Sequence, residues 1–175
     1  MKTRARIVFL LVAAVFAASA CSRDQRAARD MQENVEKSLE QAGIRDVTVS
    51  LDHEKRLVTL DGKVQSQEQK DRAAQIAQSA AAGHAVANQI AVEPPGAESE
   101  AREITENVDA AIEKSFQALL IANKLDNAGI RFESKNGALT LDGKVESTQV
   151  RTTAEKLAAT VPHVEQVVNK LEVNR

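Results

Sequence analysis

The sequence predicts an α+β protein of two tandem units, each with the element order helix, strand, strand, helix, strand. One observation behind this prediction is an internal repeat, because residues 59–66 (TLDGKVQS) return as residues 140–147 (TLDGKVES). Another is the change of hydrophobic period within each copy, from helical spacing to the alternation of a strand and back. The third is the stretch 93–99 (EPPGAES) between the copies, whose prolines and glycine interrupt regular structure.

The first unit is predicted to span residues 31–93. Its first helix, over residues 33–41, places Val35 and Leu39 on one side and ends at Gly43. Alternating apolar residues then predict strands, and a helix that Ser66 caps lies between the last two of them. These strands cover residues 47–51, 58–64 and 86–92.

The hairpin of each unit is predicted from its turn. Asn136-Gly137 favours a two-residue type I′ turn, which sets Ile130 opposite Gly143. A loop at Glu54-Lys55 gives the same register in the first copy, so Gly62 and Gly143 face the core from within continuing strands. We therefore predict two structural glycines, whose missing side chains admit a bulge or a close approach by the alanine-rich face of the next helix.

Residues 1–20 have the form of a lipoprotein signal peptide. Three basic residues precede an apolar run over residues 7–18, which is shorter than the roughly 20 residues of a membrane-spanning helix. Small residues lead directly to Cys21, the only cysteine of the chain, and this junction resembles the bacterial lipobox. We expect cleavage before Cys21, acylation of its thiol, and a lipidated tether over residues 21–30. A plain signal peptide and an uncleaved signal anchor are the alternatives.

Composition disfavours several classes of function. Lys and Arg number 23 and Asp and Glu 25, so the chain lacks the basic character of a nucleic-acid-binding protein. Trp and Tyr are absent, and a single cysteine excludes an internal disulfide or a zinc site of several thiolates. The three histidines, His53, His84 and His163, are too scattered to suggest a shared metal site. We see no candidate nucleophile or base, and we expect no enzyme, no cofactor, no metal and no small-molecule substrate.

The second unit is predicted over residues 103–175, after a linker at residues 94–102. Its first helix is predicted over about residues 103–127. We align it with the first helix of the first unit through the Ala-Gly-Ile sequence that follows both helices. This alignment predicts that Ile121 and Leu125 face the sheet. A second apolar stripe then points away from these two residues. The other unit, another chain or a bilayer could cover this candidate membrane or partner contact, which consists of Ile112, Phe116 and Leu120.

These features together resemble the BON domain family. The matching pieces are the Leu-Asp-Gly-Lys-Val strands at residues 60–64 and 141–145, and the closing strands at residues 86–92 and 167–173. The resemblance implies a three-stranded mixed sheet packed on two helices in each unit, and it brings no catalytic residue or cofactor. A lipobox before two such units resembles the tandem BON lipoproteins of bacterial envelopes, and Ser22 after the cysteine resembles an outer-membrane address.

The function that this resemblance implies is non-enzymatic. We expect a lipid-anchored envelope protein, held at the outer membrane and facing the periplasm, that associates with phospholipid and serves envelope integrity or osmotic-stress tolerance. The alternative is a periplasmic scaffold that binds an envelope protein or peptidoglycan. If the apolar stripe contacts lipid, Phe116→Asp should weaken binding of the chain from residue 22 to liposomes without unfolding it.

Overall fold

The computed structural model describes residues 27, 29–81 and 83–174, and Cys21 lies outside them. The first unit contains helix α1 (29–41), strands β1 (Val47–Asp52) and β2 (Leu57–Val64), helix α2 (Gln67–Ala80) and strand β3 (Ala85–Val92). The second contains helix α3 (Glu98–Ala122), strands β4 (Ile130–Lys135) and β5 (Ala138–Val145), helix α4 (Thr148–Ala158) and strand β6 (Gln166–Val173). The predicted order of elements is confirmed in both units.

Each unit has its own three-stranded mixed sheet. The strand order is β1-β2-β3 in the first and β4-β5-β6 in the second. The first two strands of each sheet run antiparallel because a hairpin joins them, and the third lies parallel to the central strand because a helix makes the crossover. The predicted registers are confirmed, with Val47 opposite Gly62 and Ile130 opposite Gly143.

The two hairpins close differently. Asn136 and Gly137 have φ values of 51° and 81°, the left-handed conformations of a type I′ turn. The first hairpin uses a loop of residues 53–56, longer than the two residues predicted, with Arg56 at φ 49°. Because the longer loop is centred on the same residues, the strand register is the one predicted from the shorter loop.

Two separate hydrophobic cores hold the units. In each, apolar residues of the first helix and the alanines of the second helix pack on the same face of the sheet. In the second unit the rings of Phe116 and Phe132 meet edge to face, with centroids 5.0 Å apart. The buried alanines, which permit close packing of helix on sheet, are Ala73 and Ala77 in α2 and Ala154 and Ala158 in α4.

The connection between the units is an ordered turn rather than an extended linker. Gly96 has a φ of 85°, and the Ala97 N–H donates to the carbonyl of Pro94 at 3.1 Å. Helix α3 begins at Glu98, so residues 98–102 of the predicted linker are helical. Glu93 pairs with Arg102 at 3.0 Å, and the hydrogen bond from this guanidinium lowers the pKa of the Glu93 carboxyl.

Candidate functional site

The apolar stripe predicted to contact a membrane or partner lies in the core of the second unit. Ile112, Phe116 and Leu120 are 1%, 0% and 3% exposed. Ile121, predicted to face the sheet, is instead 57% exposed, while Leu125 packs against the core as predicted. The predicted orientation of the helix was therefore wrong, and Phe116→Asp would place a carboxylate inside the core of this unit.

The error came from the alignment of the two helices. The Ile44 N–H donates to the carbonyl of Leu39 at 2.9 Å, and the Leu125 N–H donates to that of Leu120 at 2.8 Å. These equivalent helix ends make Leu120 the counterpart of Leu39, at the offset of 81 that also relates β2 to β5 and β3 to β6, and they make Phe116 the counterpart of Val35. The loop after the first helix is two residues longer in the second unit than in the first. The Ala-Gly-Ile at residues 128–130 is therefore not the structural counterpart of the Ala-Gly-Ile at residues 42–44.

The structural glycines lie where they were predicted, but a different neighbour approaches them. Gly62 and Gly143 have φ values of 131° and 130°, in a region that residues with a side chain rarely adopt. A Cβ on either glycine would come well inside 3.0 Å of a main-chain carbonyl oxygen, that of Asp46 or of Gly129. The loop that enters the first strand therefore occupies the space, whereas the alanine face of the next helix was expected to.

The two units contact one another through sheet faces that carry no helix. Leu57, Ala87 and Val168 form a small buried cluster, and each alternates with the core-facing residues of its own strand. Their neighbours in the chain point to the helices, so both sides of these strands are covered. We call this contact and the polar bonds around it the inter-unit junction.

Two ion pairs flank the junction in a swapped arrangement. The Lys55 ammonium in the first hairpin donates to Asp142 of β5 at 2.6 Å, and Lys135 in the second hairpin pairs with Asp61 of β2. Asp61 and Asp142 are equivalent in the repeat, so the two pairs approximate a two-fold relation. The hydrogen bond from Lys55 lowers the pKa of Asp142, and the same bond raises the pKa of Lys55.

A buried cation also joins the two units. Lys70 of α2 is 5% exposed, and its ammonium donates to the Asn136 carbonyl at 2.7 Å and to the Glu165 carboxylate at 2.9 Å. The Asn136 side chain in turn donates to the carbonyl of Gln89 in β3 at 2.6 Å. The type I′ turn of the second hairpin is therefore held by both a helix and a strand of the first unit.

The same turn is fixed from the other side by α3. The Asp109 carboxylate accepts hydrogen bonds from the N–H groups of Asn136 and Gly137, at 2.7 and 3.0 Å. Glu113, one turn later, accepts from the Ser134 N–H at 2.9 Å. These acidic residues next to the apolar stripe therefore satisfy the main chain of the hairpin, which the sequence alone did not indicate.

The edge of β3 receives a side chain from the other unit. The Gln166 carboxamide accepts from the Asn88 N–H at 2.7 Å and donates to the Val86 carbonyl, so it occupies two main-chain groups of β3. The Asn88 carboxamide donates to the Lys70 carbonyl at 3.1 Å. Together with Lys70, these bonds continue the network through the junction.

Metal sites, membrane spans and cavities of the described residues also bear on function. No group of three or more His, Cys, Asp or Glu residues among them is placed to hold a metal ion. In the same part of the chain, no helix is both long and apolar enough to cross a bilayer. A shallow cavity of about 420 Å³ lies beside the inter-unit connection, and its lining mixes both charges, with Arg45, Lys63, Glu93 and Glu98 among its residues.

Comparison with known proteins identifies the family. Two solved structures are similar, one of CdsD, a structural protein of the type III secretion system of Chlamydia trachomatis, and one of its C-terminal domain. Their identities are 13% and 12%, each covers 83% of this chain and 92% or 98% of its own, and both have a TM-score of 0.35. No curated protein matches the sequence. The BON domain family matches residues 24–94 and 108–175, and the chain therefore belongs to the BON domain family, with two copies in tandem.

Proposed function

We propose that the chain is a non-enzymatic lipoprotein of the bacterial cell envelope, acylated at Cys21 and held at the outer membrane facing the periplasm. Its two BON domains would associate with phospholipid and serve envelope integrity or osmotic-stress tolerance. Family membership supports the envelope setting, since BON domains are known in envelope and periplasmic proteins. The observation that carries the lipid anchor is the position of the only cysteine, directly after a short apolar run and small residues.

The tether implied by this anchor is short. Ala27, the first described residue, is six positions after Cys21, and six steps along the chain span at most about 22 Å when fully extended. An acylated Cys21 would therefore hold the start of α1 within one or two helix diameters of the bilayer surface. The first unit is then the one next to the membrane.

The anchor, rather than surface charge, would supply the membrane affinity. Residues 29–41 of α1 contain two basic and four acidic residues, so the helix nearest the tether is not attracted to anionic lipid. Each buried methylene of an acyl chain contributes about 0.8 kcal/mol, and two or more chains give stable attachment. Phospholipid association would thus follow from covalent modification.

The anchor is tested with the full chain, leader included, produced in a Gram-negative host. We expect mass spectrometry of the membrane fraction to find an acylated peptide that begins at Cys21. Cys21→Ser should abolish this peptide and release the protein from the membrane. Ser22→Asp is the matched control, because it keeps the thiol and should change only the membrane in which the protein is found. A mature protein that retains Met1 would refute the proposal.

A periplasmic scaffold that binds a protein or peptidoglycan is the second candidate. It is favoured by the small apolar area on the described surface, where the large exposed hydrophobic residues are Ile104 and Ile121. The chain from residue 22 can be sedimented with phosphatidylethanolamine–phosphatidylglycerol vesicles and, in parallel, with purified peptidoglycan. Sedimentation with vesicles supports direct lipid contact, and sedimentation with peptidoglycan alone supports the scaffold.

A further inference from the structure

We propose that Lys70 is the positioning residue that locks the two BON units into one orientation. Its ammonium is the one buried cation of the described residues, and it reaches from α2 of the first unit to the hairpin turn of the second. The inference rests on the inter-unit junction and holds whether or not Cys21 is acylated.

The site of Lys70 differs from that of the other inter-unit ion pairs. Its side chain is 6% exposed, although that of its partner Glu165 is 53% exposed, whereas both members of the Lys55–Asp142 and Lys135–Asp61 pairs are between about 31% and 49% exposed. Exposed pairs are screened by salt, since the Debye length falls to about 3 Å at 1 M, and this applies to the bond with Glu165 as well. The bond from the buried ammonium to the Asn136 carbonyl, which is uncharged, is screened much less. Lys70 should therefore hold the junction under conditions in which the flanking pairs no longer do.

The sequence of α2 supports a positioning role. Lys70 occupies the helical face of Ala73 and Ala77, which pack in the core of the first unit. Its counterpart in the repeat is Arg151 of α4, which is exposed. A cation on an inward face is costly without partners, and here the partners, the Asn136 carbonyl and the Glu165 carboxylate, both belong to the other unit.

Without these bonds, the units remain joined by the apolar cluster, the flanking ion pairs, the Gln166 and Asn136 side-chain bonds to β3 and the turn at residues 93–97. We expect Lys70→Met to leave each unit folded and to raise the fraction of molecules in which the two have reoriented about this turn. The lost bonds link a charged donor to two acceptors. The loss of even one such bond corresponds to about a tenfold rise in the fraction of molecules whose units have reoriented, which we call the open population.

The experiment measures the distance between the units in the chain from residue 22, which contains every described residue and no cysteine. Fluorophores are attached at Asn34→Cys in α1 and Lys156→Cys in α4, both exposed positions. Single-molecule energy transfer is recorded at 0.05 and 1 M NaCl for this chain, for Lys70→Met, and for the control Lys37→Met. Lys37 pairs with Glu33 at 2.7 Å within the first unit, so its replacement removes the same charge away from the junction.

The parent chain and Lys37→Met should show one distance at both salt concentrations. Lys70→Met should add a second, longer distance that gains population at 1 M NaCl. A single unchanged distance for Lys70→Met at both concentrations would overturn the proposal, as would opening of the parent chain at 1 M. If Lys70→Met fails to fold by circular dichroism, Glu165→Ala removes the half-exposed carboxylate that accepts from Lys70, and it must then show the second distance.

Discussion

Replacing Gly143 with alanine is expected to unfold the second unit or to shift its hairpin register. A Cβ on Gly143 would come well inside 3.0 Å of the Gly129 carbonyl oxygen, which is main chain and cannot rotate away. The φ of 130° adds a second cost, because residues with a side chain rarely adopt this conformation. Both costs act at the residue that pairs with Ile130, at the start of the hairpin.

The expected magnitude is large for a domain of this size. Strain at a conformation reserved for glycine costs about 1–3 kcal/mol, and overpacking of a tight site costs about 1–3 kcal/mol more. The sum of about 2–6 kcal/mol is comparable with the whole stability of a unit of this length, at 0.05–0.15 kcal/mol per residue.

The assay is urea denaturation of the chain from residue 22, followed by far-ultraviolet circular dichroism. Gly96→Ala is the matched control, because Gly96 has a φ of 85° and no heavy atom lies within 4 Å of its Cβ position. Gly96→Ala therefore places a side chain at a positive φ without bringing its Cβ against a carbonyl oxygen. If Gly143→Ala loses no more stability than Gly96→Ala, the close approach of the Gly129 carbonyl is not what requires glycine.

The remaining predictions concern the core and the junction. Phe116→Ala should destabilise the chain by about 3–5 kcal/mol in the same denaturation assay, whereas Ile121→Ala, at an exposed position of the same helix, should change stability by less than about 0.5 kcal/mol. The folded-state pKa of Asp142 is lowered, so its contribution is present above the unfolded pKa and is lost as pH falls through the folded value. Asp142→Asn should therefore flatten the loss of stability below about pH 4, and an unchanged acid profile would contradict a role for the ion pairs that Asp142 makes with Lys55 and Arg131.

Local chemistry predicted most of each unit. The left-handed turn at Asn136-Gly137 sets the second hairpin, and alternation of apolar residues sets which side of each strand faces the helices. Ser66 accepts from the Gln69 N–H at 3.3 Å, as expected of a helix cap. These features could be predicted because each depends on residues that are close together in the chain.

The orientation of α3 could not be obtained in this way. A helix with apolar residues on more than one side has several possible inward faces, and the choice depends on where the chain leaves the helix. Lys124 takes a φ of 58° at the position that Gly43 holds in the first unit. A lysine in a left-handed conformation has no strong sequence signal, so the true helix end was missed and the repeated Ala-Gly-Ile was aligned instead.

The inter-unit junction was also beyond local reasoning. Asp61 and Asp142 lie on the sheet face away from the helices, and no residue near them in the chain indicates a partner in the other unit. They bind lysines of the opposite unit, because the two helix-free faces meet at Leu57, Ala87 and Val168. One signal was present in the sequence, namely a lysine at position 70 on the inward face of an alanine-rich helix.

Attachment to the membrane and orientation of the second unit depend on different residues, and they can be separated in cells. Loss of the thiol in Cys21→Ser should release the whole body, with the junction around Lys70 intact. Lys70→Met should leave the protein attached and free α3 and the rest of the second unit to move relative to the first. If envelope function requires only a tethered pair of domains, the second variant complements a deletion strain. If it requires one fixed arrangement of the two units, neither variant complements the deletion strain. Cell fractionation should then find Cys21→Ser outside the membrane fraction and Lys70→Met within it.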